Sequence, residues 1–203
     1  MRRKKQFNMA ILWGIDSGKK LSGNTVICER DNRKIHFYQA ENNRDADQFI
    51  LDHIQKHPPR LIFIDAPLTL PGAYHHPERY DNYFFRRCDL ELGAMSPMFL
   101  GGLTARAIRL KSLAEKEGIG MKETYPKALA RKMGLQEHGY RRGKENMEAC
   151  IALIEESAAL KVNKADIRSW HHFDALLALV SGIRYEQRLG YSFGDTKEGL
   201  IYI

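Results

Sequence analysis

The stretch that decides the fold is MAILWGIDSGKK, residues 9–20, in which an unbroken apolar run ends at Asp16 and enters a Gly-Lys-Lys turn. Continuous apolar residues without polar alternation predict a strand that is buried on both faces. The turn raises a second hypothesis, a phosphate-binding Walker A loop, which requires GxxxxGK followed by Ser or Thr. Only three residues separate Gly14 from Gly18, and Lys20 stands where that loop needs its hydroxyl. The stretch is therefore interpreted as a strand whose end presents Asp16.

A second apolar run, RLIFIDAPL at residues 60–68, also leads into an aspartate, Asp65. Between the two runs, NTVICER (24–30) and KIHFYQA (34–40) flank an Asp-Asn turn, which predicts a β-hairpin. Apolar residues at helical spacing predict a helix over residues 44–57, and a Pro-Pro pair then ends it. Because crossovers between parallel strands of one sheet are right-handed, the strand ending at Asp65 is expected to lie parallel to the first.

The rest of the chain predicts an α/β fold with one atypical segment. Residues 71–103 are rich in Gly, Pro, His and aromatic residues and have weak periodicity, so we expect an irregular insertion or lid with one short helix. The other predicted elements are helices at 104–116, 127–133, 145–160 and 172–188, a strand at 119–126 and a closing strand, EGLIYI. This order predicts one domain over residues 1–203, with a mixed sheet and helices on both faces.

Composition limits the function classes. The 203 residues carry 43% hydrophobic and 28% charged side chains, enough for one core and an ordinary polar surface. The net charge of +7 favours a polyanion such as nucleic acid or a phosphorylated substrate, although solvated lysines explain it as well. Cys28, Cys88 and Cys150 form no CxxC pair, which argues against a zinc knuckle or a disulfide framework. The first apolar run is too short for a signal peptide or a membrane span, so a cytoplasmic location is expected.

Asp16 and Asp65 form the centre of the predicted site. If their strands are parallel neighbours, the two strand ends lie about 4.8 Å apart, in the crevice where α/β sheets bind ligands. Two unpaired carboxylates at such a short distance from each other either share a proton or hold a cation between them. Hard oxygen ligands favour Mg²⁺ or Mn²⁺. The alternative is that each aspartate only forms a turn at its strand end.

Two further acidic residues extend this set. Glu123, in KETYP, lies at the end of the third apolar strand, and Asp174, in HHFDALLAL, begins an apolar helix. Asp174 is either a ligand or a helix N-cap. Ala178 and Ser181 share its helix face, and such small residues let a helix pack closely on a sheet. The predicted catalytic residues are Asp16, Asp65, Asp174 and Glu123.

The motifs GIDSG, FIDAPL, RRCDLELG, KETYP, FDALLAL and EGLIYI occur in this order over nearly the whole chain. In this the sequence resembles the domain-of-unknown-function 429 family, whose members are predicted nucleases with an RNase H-like fold. The resemblance implies an RNase H-like mixed sheet with antiparallel opening strands followed by parallel ones. It also implies acidic metal ligands on the first strand, the fourth strand and the last helix, which correspond to Asp16, Asp65 and Asp174. Glu123 has no counterpart in that set.

The predicted function is therefore a metal-dependent nuclease that hydrolyses phosphodiester bonds of nucleic acid, with a two-metal site for Mg²⁺ or Mn²⁺. Basic residues near the predicted site are expected to bind phosphates and make affinity salt-dependent. They are Lys19, Lys20, Arg86, Arg87, Arg141, Arg142 and Lys144. No membrane association and no obligate protein partner are expected.

Two other functions stay open at this point. The first is a nucleotide-binding phosphotransferase or ATPase of the actin-like type, whose first strand also leads into an Asp-x-Gly phosphate loop. Against it, that superfamily normally uses two such domains, and 203 residues supply one. The second is a non-catalytic RNase H-like binding protein that keeps the fold without the chemistry.

The paired histidines raise a zinc hypothesis. His171 and Asp174 lie at i and i+3, a workable ligand pair on one helix face, but no Cys or HExxH pattern accompanies them. His75 and His76 lie in the predicted insertion, where a surface role is preferred over that of a general base. Cys88 is interpreted as a small buried residue rather than a reactive thiol.

Overall fold

In a computed structural model, which describes residues 10–32 and 34–203, the chain forms one seven-stranded sheet. The strands are β1 (Leu12–Asp16), β2 (Val26–Asp31), β3 (Lys34–Gln39), β4 (Leu61–Asp65), β5 (Gly120–Thr124), β6 (Ser192–Asp195) and β7 (Gly199–Tyr202). Their order across the sheet is β3-β2-β1-β4-β5-β7-β6. The first three strands pair antiparallel, whereas β1, β4, β5 and β7 run parallel. The expected mixed sheet, with antiparallel opening strands followed by parallel ones, is confirmed.

Helices cover both faces of the sheet, as predicted. They are α1 (Ala46–Lys56), α2 (Arg87–Leu92), α3 (Pro97–Leu100), α4 (Gly102–Lys116), α5 (Pro126–Lys132), α6 (Met147–Ala158) and α7 (Trp170–Glu186). Apolar side chains of α1 and α4 form one core with alternate residues of β1 and β4. The other alternate residues form a second core with α5, α6 and α7. The sheet therefore separates two apolar layers.

Alternation along β1 determines which layer each of its side chains enters. Trp13 and Ile15 belong to the core under α1 and α4, and Leu12 belongs to the core under α7. Gly14 and Asp16 share the face of Leu12, because side chains alternate with a period of two. At Gly14 the backbone of α7 packs directly on the strand, so closely that an added Cβ would lie 2.7 Å from the carbonyl carbon of Ala178. The predicted close packing of the small-residue face of α7 is confirmed, and it brings the start of α7 to the end of β1.

The segment predicted as an irregular insertion, residues 71–103, contains more regular structure than expected. It holds a 3₁₀ turn at Gly72–Tyr74, α2 and α3, rather than one short helix. Helices of six and four residues are too short to give a periodic signal. Glu198 fastens this segment to the sheet by accepting hydrogen bonds from the backbone amides of Gly72 and Arg87 at 2.8 and 2.7 Å.

Strand β6 is an element that the sequence pattern does not predict. It has four residues and includes Gly194 at φ +105°, a conformation that breaks the regular alternation of a strand. It pairs antiparallel with β7 and forms the edge of the sheet. Across residues 10–32 and 34–203, no helix has the length and apolar character needed to cross a membrane.

Candidate active site

Asp16 and Asp65 are direct neighbours at the carboxyl ends of β1 and β4. The register of these parallel strands places residue 16 opposite residue 65, and both side chains are on the α7 face. The predicted strand pairing is confirmed. The pKa of Asp65 is raised well above its usual range, first by burial and then by the charges of Asp16 and Asp174. Negative charge is therefore concentrated at this point of the sheet, which favours a bound proton or a bound cation.

Asp174 faces these two residues from α7. The helix begins after Ser169, so Asp174 lies inside it, and the alternative that Asp174 is the N-cap is wrong. Its carboxylate accepts hydrogen bonds from the hydroxyl of Tyr140 and from Arg141, which also forms an ion pair with it. Burial raises the pKa of Asp174 to about 6, against the opposing charge of Arg141. The structure therefore brings three predicted acidic residues together and adds a cation that is itself half-exposed.

His171 is a member of this cluster that the sequence argument did not place. Its Nδ1 lies 2.8 Å from Oδ2 of Asp16, and this hydrogen bond raises the pKa of the histidine. The zinc hypothesis paired His171 with Asp174 through their spacing on the helix. The contact with Asp16 joins residues 155 positions apart and depends on how α7 docks on β1. The only sequence signal is a histidine at the start of an apolar helix.

Glu123 is on the opposite face of the sheet from the aspartates. It pairs in register with Ile64 of β4, whose side chain belongs to the core under α1 and α4. Its two carboxylate oxygens accept hydrogen bonds from Arg86 at 2.6 and 2.7 Å, and one also accepts from the amide of Leu68 at 2.8 Å. Glu123 is thus bound by a fork of guanidinium donors, although it also lines the cleft that Asp65 and Asp174 line.

The prediction that Arg86 binds phosphate does not fit the structure, because the side chain of Arg86 is fully buried. Besides Glu123, its guanidinium contacts Asp89 at 2.7 Å and the hydroxyl of Thr69 at 2.8 Å. All its donors are directed inward, so Arg86 has no surface to offer a phosphate. It holds the segment containing α2 against the end of β5.

The remaining predicted phosphate-binding residues are exposed, and most of them are not at the aspartates. Lys20 forms an ion pair with Asp45 at 3.0 Å, and Arg87 forms one with Glu91 at 2.7 Å. Of the basic set, Arg141 alone contacts one of the three aspartates within the described ranges. Lys19, Arg142 and Lys144 lie on the surface without such a contact in the part of the chain that the structure describes.

A cleft of about 330 Å³ opens at this edge of the sheet. Asp65 and Asp174 line it together with the exposed cations Lys127 and Arg141. Side chains near α3, including Met95 and Leu100, form another part of its wall. The acidic cluster is therefore accessible from a concave surface that also carries positive charge and apolar groups.

The turn after Asp16 is held by side chains from two helices. Arg106 of α4 donates to the carbonyl of Gly18 at 3.1 Å and forms an ion pair with Asp47 of α1 at 2.7 Å. The amide of Gly18 donates to Oγ1 of Thr25 at 3.0 Å. Because this amide already has a partner, it is not free to bind a phosphate. This counts against the actin-like alternative, which needs a phosphate-binding loop at this turn.

We expect the substitution Arg86→Lys to lower the free energy of unfolding by about 2 kcal/mol. A lysine ammonium cannot donate to both carboxylates in the planar fork that Arg86 uses, so buried acceptors lose their partners. Urea denaturation measures the effect, and the matched control is Arg87→Lys, whose solvent-exposed pair with Glu91 adds little to stability. Equal effects of the two substitutions would contradict this account of the buried network.

The donor chemistry of the cluster fits a divalent cation. Mg²⁺ is commonly held by one or two carboxylates, with water and substrate phosphate completing its coordination, and Asp16 and Asp65 supply two adjacent carboxylates. In the part of the chain that the structure describes, no three His, Cys, Asp or Glu side chains are arranged to hold an ion as they stand. Arg141 and Tyr140 occupy the carboxylate of Asp174. A second ion would need Arg141 to leave Asp174.

No protein-family model and no curated protein sequence matches the chain. Among solved structures, the fold is similar to that of the yeast mitochondrial Holliday junction resolvase Ydc2, with a TM-score of 0.44 and 13% sequence identity over 88% of this chain and 79% of that one. A similarity at that level carries no conclusion about activity. The resemblance to the domain-of-unknown-function 429 family rests on the sequence motifs alone.

Proposed function

We propose that this protein is a divalent-metal-dependent nuclease whose site is the cluster of Asp16, Asp65 and Asp174. The observation that supports it most is the in-register pairing of Asp16 with Asp65 at the ends of two parallel strands. Burial and mutual repulsion raise the pKa of Asp65, which makes a cation a favourable occupant. The chain carries a net charge of +7, so this acidic site is set in a basic protein that attracts polyanions.

Each residue of the cluster has a role in this proposal. Asp16 and Asp65 would hold Mg²⁺ or Mn²⁺, which supplies an activated water and stabilises charge on the phosphate when bound. Tyr140 orients Asp174 through its hydroxyl. Arg141, half-exposed at the cleft, exchanges part of its contact with Asp174 for a substrate phosphate.

His171 acts as a positioning residue, since its hydrogen bond fixes the orientation of the Asp16 carboxylate. Partners of metal ligands typically contribute a factor of about 10 to 100 in metal affinity or activity. We expect His171→Ala to raise the Mg²⁺ concentration needed for half-maximal cleavage by that factor.

A metal titration of cleavage measures this effect. His36→Ala, an exposed histidine on the edge strand β3, serves as the control and should leave the titration unchanged. An unchanged titration for His171→Ala would show that the contact with Asp16 has no part in metal binding.

A cleavage assay tests the proposed function. The purified protein is incubated with DNA, RNA, DNA–RNA hybrid and branched DNA, each with Mg²⁺, with Mn²⁺ or with EDTA. Cleavage of at least one substrate with metal, and of none with EDTA, is expected. The proposal fails if no substrate is cut, or if cutting survives both Asp16→Asn and Asp65→Asn.

One observation favours a second candidate, a non-catalytic nucleic-acid-binding protein. The ion pair between Arg141 and Asp174 neutralises the third carboxylate and leaves Asp16 and Asp65 to bind an ion alone. This candidate predicts weak metal binding and no turnover. Thermal-shift titration with Mn²⁺ separates the two, because specific binding to the folded state raises the melting temperature as the metal concentration increases.

A further inference from the structure

The segment next to the cleft exposes three large apolar side chains. The side chains of Phe84, Met95 and Phe99 are 56%, 59% and 65% exposed. We call these three residues the apolar ledge. The rings of Phe84 and Phe99 lie 6.0 Å apart between centroids. Clustered exposed apolar groups are typical of interaction surfaces, because leaving them in water does not stabilise the folded monomer.

Local hydrogen bonds hold the apolar ledge in place. The hydroxyl of Ser96, which is itself buried, donates to the carbonyl of Phe84. The same oxygen accepts from the amide of Met98 at 3.0 Å and so begins α3. Phe85 packs edge-on against Phe99, with centroids 5.8 Å apart. The two exposed rings therefore belong to one folded unit rather than to separate loops.

The apolar ledge is continuous with the candidate active site. Met95 belongs to both, because it lines the cleft that contains Asp65 and Asp174. Leu100, which directly follows Phe99, lines the cleft as well. Lys127 and Arg141 are the exposed cations of the same cleft. At Met95 the apolar ledge thus meets the cleft that carries this positive charge and the acidic site.

We propose that the apolar ledge stacks unpaired nucleobases of a single-stranded or branched nucleic acid, while neighbouring phosphates contact Lys127 and Arg141. The inference rests on the proposed function, since it names the kind of nucleic acid that reaches the same site. Aromatic faces beside cations match a strand in which bases alternate with phosphates. In a fully paired duplex the faces of the bases are stacked on one another, so they are not available to the side chains of the ledge. The substrate class is therefore nucleic acid with unpaired bases.

Fluorescence anisotropy in EDTA tests this proposal, because binding is then measured without cleavage. The probes are a labelled single strand, a blunt duplex and the same duplex with a bulge. We expect Phe99→Ala and Phe84→Ala to weaken binding of the single strand and of the bulged duplex by about 5- to 100-fold each. Binding of the blunt duplex should not change, and Phe99→Trp should restore the affinity.

The control is Leu189→Ala, which removes an equally exposed side chain beyond the far end of α7. It should leave all affinities unchanged. Equal loss for duplex and single strand, or no loss for either, would overturn the inference. The inference would also be overturned if Phe99→Ala converted a dimer to a monomer and left oligonucleotide binding intact. In that case a second copy of the chain would cover the ledge.

The two proposals fail in distinguishable ways. Phe99-dependent binding of unpaired bases in a protein that cuts no substrate would overturn the nuclease proposal and leave this inference standing. Metal-dependent cleavage in which Phe99→Ala binds every probe normally would overturn the inference and leave the nuclease proposal standing. Both aromatic side chains are exposed, so circular dichroism should show unchanged folding of the variants.

Discussion

Asp65→Asn is expected to reduce cleavage by about a thousandfold, since a bound ion contributes several kcal/mol of transition-state stabilisation and each 1.36 kcal/mol is about tenfold in rate. Asparagine keeps the shape of aspartate but removes the charge that would hold the cation beside Asp16. The rate of substrate cleavage at saturating Mg²⁺ measures the loss. Asp52→Asn, on the exposed face of α1, is the matched control and should cleave at the wild-type rate.

The same substitution should make the metal-free protein more stable at neutral pH. The folded state raises the pKa of Asp65 above its value in the unfolded chain, so the folded state binds the proton more tightly. The contribution of Asp65 to stability is therefore greatest below a pH of about 4 and falls as the pH rises towards the raised pKa. An asparagine side chain does not titrate, so the Asp65→Asn variant lacks this part of the pH dependence.

Thermal melts of the two proteins in EDTA across this pH range measure the difference. The melting temperature of Asp65→Asn should exceed that of the wild type at pH 7, and the gap should narrow on acidification. A variant that cleaves normally, or one that is less stable than the wild type at pH 7, contradicts the role assigned to Asp65.

Gly14→Ala is expected to lower the free energy of unfolding by about 4 kcal/mol, at the severe end of overpacking effects. A Cβ at this position would lie 2.7 Å from the carbonyl carbon of Ala178, and closer still to the amide of Leu179 and the carbonyl oxygen of Ala175. These are backbone atoms of α7, which cannot rotate away as a side chain can. The helix must move off β1, and it would carry Asp174 with it.

Urea denaturation measures this effect, and Gly102→Ala is the matched control. Gly102 begins α4, and a Cβ there would meet nothing within 4 Å. Alanine at that helical position should be neutral or stabilising by up to about 1 kcal/mol. If Gly14→Ala were as stable as the wild type, α7 could not be packed on β1 as described.

The pairing of Asp16 with Asp65 was predictable because it depends on signals within each segment. Each strand is an unbroken apolar run that ends in an aspartate, and the helix predicted between them provides the crossover that parallel strands require. The closeness of α7 was also predictable, because Ala178 and Ser181 leave a face of small residues. Periodicity and end residues therefore located both strand ends and the helix that covers them.

The environment of Glu123 and Arg86 was not predictable in the same way. Glu123 lies one residue before the end of β5, and its register with Ile64 turns it to the other face of the sheet. A shift of one residue exchanges the faces of a strand, and the motif KETYP did not show which residue of β5 would lie opposite Asp65. In the sequence, Arg86 cannot be distinguished from a surface arginine, because its contacts with Glu123 and Asp89 exist only in the folded structure. The contact between His171 and Asp16 likewise exists only once α7 has docked.

The most direct test of the central claim is anomalous diffraction from crystals of the protein soaked in Mn²⁺. Our account predicts a manganese peak bound by the carboxylates of Asp16 and Asp65, with any second ion accompanied by the release of Arg141 from Asp174. The absence of manganese from the cleft at saturating concentration, with Arg141 still paired to Asp174, would contradict it.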